Sequence, residues 1–285
     1  MDRSDPAGDF EPHRKFLAGL AYRMLGSVAE SDDVVQDAFL RWREVDRAAV
    51  AEPRAYLARV VSRLCLDRMK SASHRREQYV GMWLPEPVVA EPAQGIADDL
   101  SVALLLALER LSPLERAAFL LHDVFDMDFA AVAETIDRSE TACRQLAARA
   151  REHVRDERPR YESSDHEARQ LADAFVAAAL TGDTGGLARM LAEGAVLYSD
   201  GGGKRRAALN PIVGRDRILR FYAGILQKDG AFPTVHAAQP ATLNGLPGFV
   251  FHTGDGTETI AFDIARGSIV AIYAVRNPDK LSHLS

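Results

Sequence analysis

The chain has 285 residues, 47% of them hydrophobic, which is long for one domain and comfortable for two or three. No low-complexity tract points to wholesale disorder, the apolar run 102–108 is too short to cross a bilayer, and the acidic start MDRSDPAGDFEP lacks the apolar stretch of a secretory signal, so a cytoplasmic protein is expected. The formal net charge of −6 argues against simple nucleic-acid binding, but it averages over regions of opposite sign. Residues 54–76 hold seven Arg or Lys against one acid, residues 77–137 hold two basic groups against twelve acids, and residues 138–160 hold seven Arg against four acids. Two basic segments flanking an acidic stretch fit two DNA-facing surfaces, and they equally fit two solvated helix faces. Cys65 and Cys143 both fall in helical patterns and form neither a disulfide framework nor a metal site, so no cofactor or metal is expected.

From Phe10 to about Arg76 the pattern is helical, with a break over 45–53. Phe16, Leu20, Met24 and Leu25 recur at helical spacing. Ser31 is expected to precede a second helix, with Asp32 and Asp33 in its first turn and Val34, Val35, Ala38, Phe39 and Trp42 as its apolar stripe. Pro53 opens a third helix that buries Tyr56, Leu57, Val60, Val61, Leu64, Leu66 and Met69. Residues 77–97, with three prolines and two glycines, read as a linker. Helix resumes over 98–110, and Ser112-Pro113-Leu114-Glu115 is a capping-box start with Pro at the first helical position. Asp128 caps a helix over 129–136 and Ser139 caps another over 140–155. The short corner Asp137-Arg138-Ser139 between them suits a helix-turn-helix, with Ala142, Leu146 and Ala150 facing inward.

The character changes after Pro159. Two helices over 165–192 precede strands over 195–199, 234–238, 249–253, 257–264 and 268–275. A hairpin turn falls at Gly254-Asp255-Gly256, and an amphipathic helix over 216–226 lies between the early and late strands. Helices followed by an antiparallel sheet make a separate α+β domain.

The stretch Asp33-Val34-Val35-Gln36-Asp37-Ala38-Phe39-Leu40, then Pro53-Arg54-Ala55-Tyr56-Leu57 and its basic helix, closely resembles region 2 of bacterial extracytoplasmic-function sigma factors. Residues 98–155 are similar to region 4 of the same family. A lone helix-turn-helix is a weak signal; the two regions in order, joined by a linker, are a specific one. Trp83-Leu84-Pro85-Glu86-Pro87, Asp200-Gly201-Gly202-Gly203-Lys204 and Asn277-Pro278-Asp279-Lys280-Leu281 together resemble the sigma-J-like subfamily, which carries a SnoaL-like, NTF2-fold extension. The fold this implies is multidomain: two all-α sigma domains, region 2 over 1–76 and the helix-turn-helix region 4 over 98–160, joined by linker 77–97 and followed by an α+β, cone-shaped SnoaL/NTF2-like domain over 161–285.

The resemblance implies core RNA polymerase and promoter DNA as partners. It sets the clamp helices of the polymerase against Asp33, Gln36, Asp37 and Leu40. Arg54, Arg59 and Arg63 are suited to phosphates, and a pocket for an extruded base is implied near the 45–53 loop, Arg63 and Asp67. Ser139, Glu140, Thr141, Arg144 and Gln145 occupy the first turns of the recognition helix, where base edges are read, while Arg138 and Arg149 suit phosphate contacts. Trp42, Tyr56 and Cys143 read as packing.

For the last domain two readings stay open. In one it regulates the sigma domains through Trp83 and Leu84 of the linker, the glycine-rich loop Asp200, Gly201, Gly202, Gly203 and Lys204, and the tail Asn277, Pro278, Asp279, Lys280 and Leu281. In the other its cavity binds a small molecule or supports chemistry, with Tyr198, Asp200, His236, His252 and Asp263 as the polar groups on or beside strands that are candidates to face it. A separate anti-sigma factor stays open as a partner; a membrane is not expected.

Overall fold

A left-handed glycine and the serine after it split the first helical stretch in two. Gly26 sits at φ 69° and its N–H donates to Tyr22 O at 2.7 Å, which ends α1, Pro6–Leu25. Ser27 then accepts from Glu30 N and starts α2, Val28–Glu44. The expected start at Ser31 is therefore one turn late. Ser31 lies inside the helix with its hydroxyl donating to Ser27 O, and the first-turn acid is Glu30, not Asp32 or Asp33. The chain is seen here in a computed structural model that describes residues 6–77, 79–89, 102–155, 165–226 and 235–284. It divides into two units: Met1–Glu77 with Ala103–Arg158, and Gln78–Val102 with Pro159–Ser285.

In the first unit α3, Pro53–Glu77, packs on α1 and α2. Its core comprises Phe10, Leu17, Leu20 and Met24 from α1, Val34, Val35, Ala38 and Trp42 from α2, and Leu57, Val61 and Cys65 from α3. Trp42 is thus a core residue, tilted on Tyr56 at 5.8 Å. The helix α4, Val102–Glu109, continues the expected 98–110 pattern, whose first four residues lie outside the described ones. The Ser112–Glu115 capping box forms in both directions and starts α5, Pro113–Phe119, which runs into a wide turn over Leu120–Val124. Arg116, almost fully buried, donates to Met24 O at 2.6 Å and to Glu109 Oε1 at 2.7 Å, supplying a donor to the carbonyl end of α1. Asp128 caps α6, Phe129–Ile136, and Ser139 caps α7, Glu140–Arg155. The corner residue Asp137 adopts the left-handed conformation, φ 57° and ψ 58°, that its short polar side chain tolerates.

In the second unit α8, Asp165–Thr181, and α9, Thr184–Met190, lead into a six-stranded sheet. The strands are β1, Leu191–Asp200; β2, Ile212–Val213; β3, Val235–Leu243; β4, Leu246–Thr253; β5, Gly256–Ala265; and β6, Ser268–Val275, in the order β2-β1-β6-β5-β4-β3. Among the described strands only β1 and β6 pair in parallel. The helix α10, Arg215–Leu226, lies between β2 and β3 in sequence. Besides the expected turn at 254–255, two-residue turns at Asn244-Gly245 and Arg266-Gly267 have φ positive at both positions, as the twist of a tight hairpin requires. Pro240 interrupts no ladder it needs, because β3 is the sheet edge. The core gathers Phe175, Leu187, Leu197, Ile218, Phe262 and Ile272. Residues 79–89, set apart in the sequence as linker, pack in this unit, and Val89 bridges Leu243 at the sheet edge. No described helix is long and apolar enough to cross a membrane.

Candidate functional site

Because Val34, Val35, Ala38 and Trp42 turn one side of α2 to the core, Asp33, Gln36, Asp37 and Leu40 share the outward side. Leu40 is 46% exposed, an apolar group left to solvent on an otherwise acidic face. Arg68 of α3 reaches Asp33 at 3.4 Å, Asp37 at 3.1 Å and Glu30 O at 3.2 Å, so one cation holds both acids in place and leaves the face net negative.

The basic side of α3 is partly occupied. Arg54 lies over the Phe16 ring at 4.3 Å, Arg59 pairs with Glu134 at 2.7 Å, and Asp67 pairs with Lys70 at 3.1 Å. Arg63 donates through Nη2 to Glu134 O at 2.7 Å and through Nε to Thr135 O at 3.2 Å. These carbonyls close the last turn of α6, where the helix dipole favours a cation. Two of the arginines expected to face phosphates therefore hold the first helix of the helix-turn-helix in this structure. More than seventy residues separate the partners, and no local pattern announces the contact.

On α7 the buried side is Cys143, Leu146, Ala147, Ala150 and Val154, with Ala142 half-buried. Burial pushes the thiols of Cys65 and Cys143 up, consistent with packing. Ser139 is spent on the cap, Thr141 and Gln145 are exposed, and Arg144 pairs with Glu140 at 2.8 Å while lying 5.0 Å over the Phe129 ring. Arg138 donates to Asp137 O, and Arg149 reaches Glu115 at 3.1 Å. Burial raises the Glu115 carboxyl, but the Ser112 hydroxyl and N–H, with Arg149 and His153 nearby, more than offset this and hold it below the usual carboxylate range.

In the second unit the three motifs of the linker, the glycine loop and the tail meet at one carboxylate. Asp200, wholly buried at the end of β1, accepts from Tyr79 Oη at 2.6 Å and Gly202 N at 3.0 Å through Oδ1. Through Oδ2 it accepts from Leu84 N and from Lys280 Nζ, both at 2.8 Å. Lys280 also donates to Leu84 O and lies 4.0 Å over the Trp83 ring. Burial and the hydrogen bond to Asp200 push the Tyr79 hydroxyl up, so it stays protonated as a donor and accepts from Asn277 Nδ2 at 2.9 Å. Glycine is required at 202, where φ is +59° and a Cβ would stand 2.2 Å from Asn277 Nδ2. Gly203, also at positive φ, leaves room for Val80, and Gly201 for the Arg205 carbonyl. Leu281 is buried, Pro278 starts a short 3-10 turn, and Asp279 pairs with Lys204 in the open. Asn244 and Val88 exchange two hydrogen bonds, and His283 contacts Pro87 O at 2.8 Å. Tyr79 and Asn244 were not singled out from the sequence, although Asn244-Gly245 is a strong turn signal.

The same unit encloses a cavity of about 860 Å³. None of Tyr198, Asp200, His236, His252 and Asp263 lines it. Asp200 is instead the centre of the clasp on the linker. Tyr198 stacks on Tyr273 at 5.3 Å.

An outward acidic and apolar helix face and a helix-turn-helix in one unit, with the segment that joins them in sequence packed in a second, α+β unit, fit a transcription initiation factor with an appended domain. The Sigma-70 region 2 model matches residues 10–75 and the Sigma-70 region 4 model residues 101–154. The chain is 38% identical to the ECF RNA polymerase sigma factor SigJ of Mycobacterium tuberculosis over 96% of its length and 92% of that protein. It is 33% identical to the probable ECF RNA polymerase sigma factor SigI of the same organism, over 100% and 98%. The crystal structure of M. tuberculosis SigJ superposes with a TM-score of 0.79 at 35% identity, covering 97% of this chain and 98% of that one. The chain belongs to the extracytoplasmic-function family of RNA polymerase sigma factors, which direct promoter-specific transcription.

Proposed function

We propose that the chain docks on core RNA polymerase through Asp33, Gln36, Asp37 and Leu40 of α2, and meets promoter DNA through Arg54, Arg59, Arg63 and Asp67 of α3 and the first turns of α7. The C-terminal body then regulates in cis by holding the linker, not by turning over a substrate. The observation that carries this reading is the buried clasp of Asp200 and Lys280 on Tyr79 and Leu84. The linker joins the helices of region 2 to those of region 4, so whatever grips residues 79–89 limits the separations those regions can take up. A tether raises the effective concentration of such a contact to roughly millimolar, which keeps it formed without a separate inhibitor. Among the described residues the cavity is lined by Asp255 and Glu258 but by no His, and Glu258 is engaged by Arg205 and Arg276, which supports a binding or structural role over His-based acid–base catalysis. In this reading a separate anti-sigma factor is not needed for control.

The test is initiation from a mapped promoter by reconstituted holoenzyme, with the full chain and its Asp200→Asn variant. The reading expects equal binding to core polymerase and a changed initiation rate for Asp200→Asn. Equal initiation by both, with the linker shown to be released in the variant, would falsify it.

A further inference from the structure

The cavity of the second unit has an apolar body and a cationic mouth. Phe175, Leu197, Phe221, Phe251 and Ile260 supply its wall, and its volume, about 860 Å³, suits a small organic ligand. Tyr222 also lines it and is only 7% exposed. At the mouth, Arg205 and Arg276 share a single carboxylate. Glu258 Oε1 accepts from Arg276 Nη2 at 2.8 Å and from Arg205 Nη1 at 3.3 Å. All three side chains are largely buried, so two guanidinium charges face one carboxylate with little water to screen the surplus. The Nε of Arg276 is moreover buried with no acceptor. Room for the Arg205 guanidinium is built into the backbone: a Cβ on Gly256 would stand 2.5 Å from Arg205 Nη2.

We infer that this cavity is a binding site for a hydrophobic carboxylate, its apolar body among the aromatic wall residues and its charged head on Arg205 and Arg276. One added anion neutralises the surplus guanidinium charge and supplies the acceptor that Arg276 Nε lacks. A dianion would meet Glu258, and a neutral amphiphile would leave the mouth charge uncompensated. Bidentate recognition by a planar guanidinium is the geometry a carboxylate matches best. The site involves none of the residues of the linker clasp, so it stands or falls separately from the regulatory reading.

Isothermal titration of the full chain with decanoate and with decanol separates charge from chain. Decanoate is expected to bind once per chain, and decanol at least about tenfold more weakly. The Arg205→Gln, Arg276→Gln double variant should lose that preference while keeping its binding of decanol. Because those arginines also tie the mouth together, Ala179→Phe serves as a second variant: it fills the cavity from α8, leaves the arginines untouched, and should abolish both ligands. Failure of decanoate to bind, equal affinity for decanol, or a preference for decanoate that survives loss of both arginines overturns the proposal.

Discussion

A carboxylate with no contact to water can be held only if every lone pair has a donor, and Asp200 meets that condition with four. Its pairing with Lys280 is a buried ion pair, so removing one partner leaves the other charge uncompensated, at a cost of about 3–5 kcal/mol. Asp200→Asn keeps the shape but turns one acceptor into a donor facing Leu84 N or Lys280. The Leu84 and Val88 amides should then exchange with solvent about a hundredfold faster, read by hydrogen–deuterium exchange of the full chain. Lys204→Ala, which breaks an ion pair more than half exposed on both sides, should leave those amides unchanged. A second residue-scale expectation concerns Glu115. Its folded carboxyl is held below the usual range, so its contribution to the α5 cap is present above the unfolded value and is lost as pH falls through the folded one. Thermal melts from neutral to acid pH should show a loss of about 1 kcal/mol in the parent that Glu115→Gln, already lacking it, does not repeat.

At the scale of elements, the roles proposed for α2 and α7 call for different kinds of recognition. The outward side of α2 is suited to a basic partner, and Asp37→Arg reverses its central charge while freeing Arg68 from one of its two acids. Core polymerase should bind the folded variant at least about tenfold more weakly, measured by fluorescence titration. On α7, Arg144 lies one turn in, held by Glu140 and by the Phe129 ring, which orients its guanidinium without burying it. Arg144→Ala should relax preference at one base position by about 1–3 kcal/mol, whereas Arg149→Ala should weaken all sequences alike, in a selection over randomised upstream elements. Most of these elements were legible in the sequence because their signals are local: the capping box at Ser112, the prolines at helix starts, and the short polar corner at Asp137-Arg138-Ser139. The start of α2 was misplaced because two serines compete as caps, and only the φ of Gly26 decides between them. The strand β2 has two residues and no period to detect. The union of Arg63 with the end of α6 depends on tertiary packing, as does the convergence of Tyr79, Asp200 and Lys280 from three distant segments. Trp83 and Leu84 stand out in the sequence as apolar residues in an acidic, proline-rich stretch, and Leu84 is buried.

At the scale of the whole molecule, the clasp and the cavity mouth are joined by one peptide. Arg276 and Asn277 both donate their backbone N–H to Asp200 O, at 2.7 and 3.1 Å. The side chain of Arg276 enters the cavity lining, and that of Asn277 holds Tyr79. A head group that draws the Arg276 guanidinium away from Glu258 and Arg206 O pulls on the segment that carries Lys280. Binding in the cavity should therefore loosen the linker, and saturating decanoate should speed exchange at Leu84 and Val88 in the full chain. Linkage makes the effect reciprocal: if the ligand weakens the clasp by some factor, a chain whose clasp is already open binds the ligand more tightly by that same factor. Decanoate should thus bind Asp200→Asn more tightly than the parent, and should change initiation by the parent but not by Asp200→Asn or by Arg205→Gln, Arg276→Gln. Calorimetry and in vitro transcription on these three full-length proteins give both sides of the cycle. Equal affinity of decanoate for parent and Asp200→Asn would mean that cavity and clasp are energetically separate, however close Arg276 stands to Asn277 in the chain.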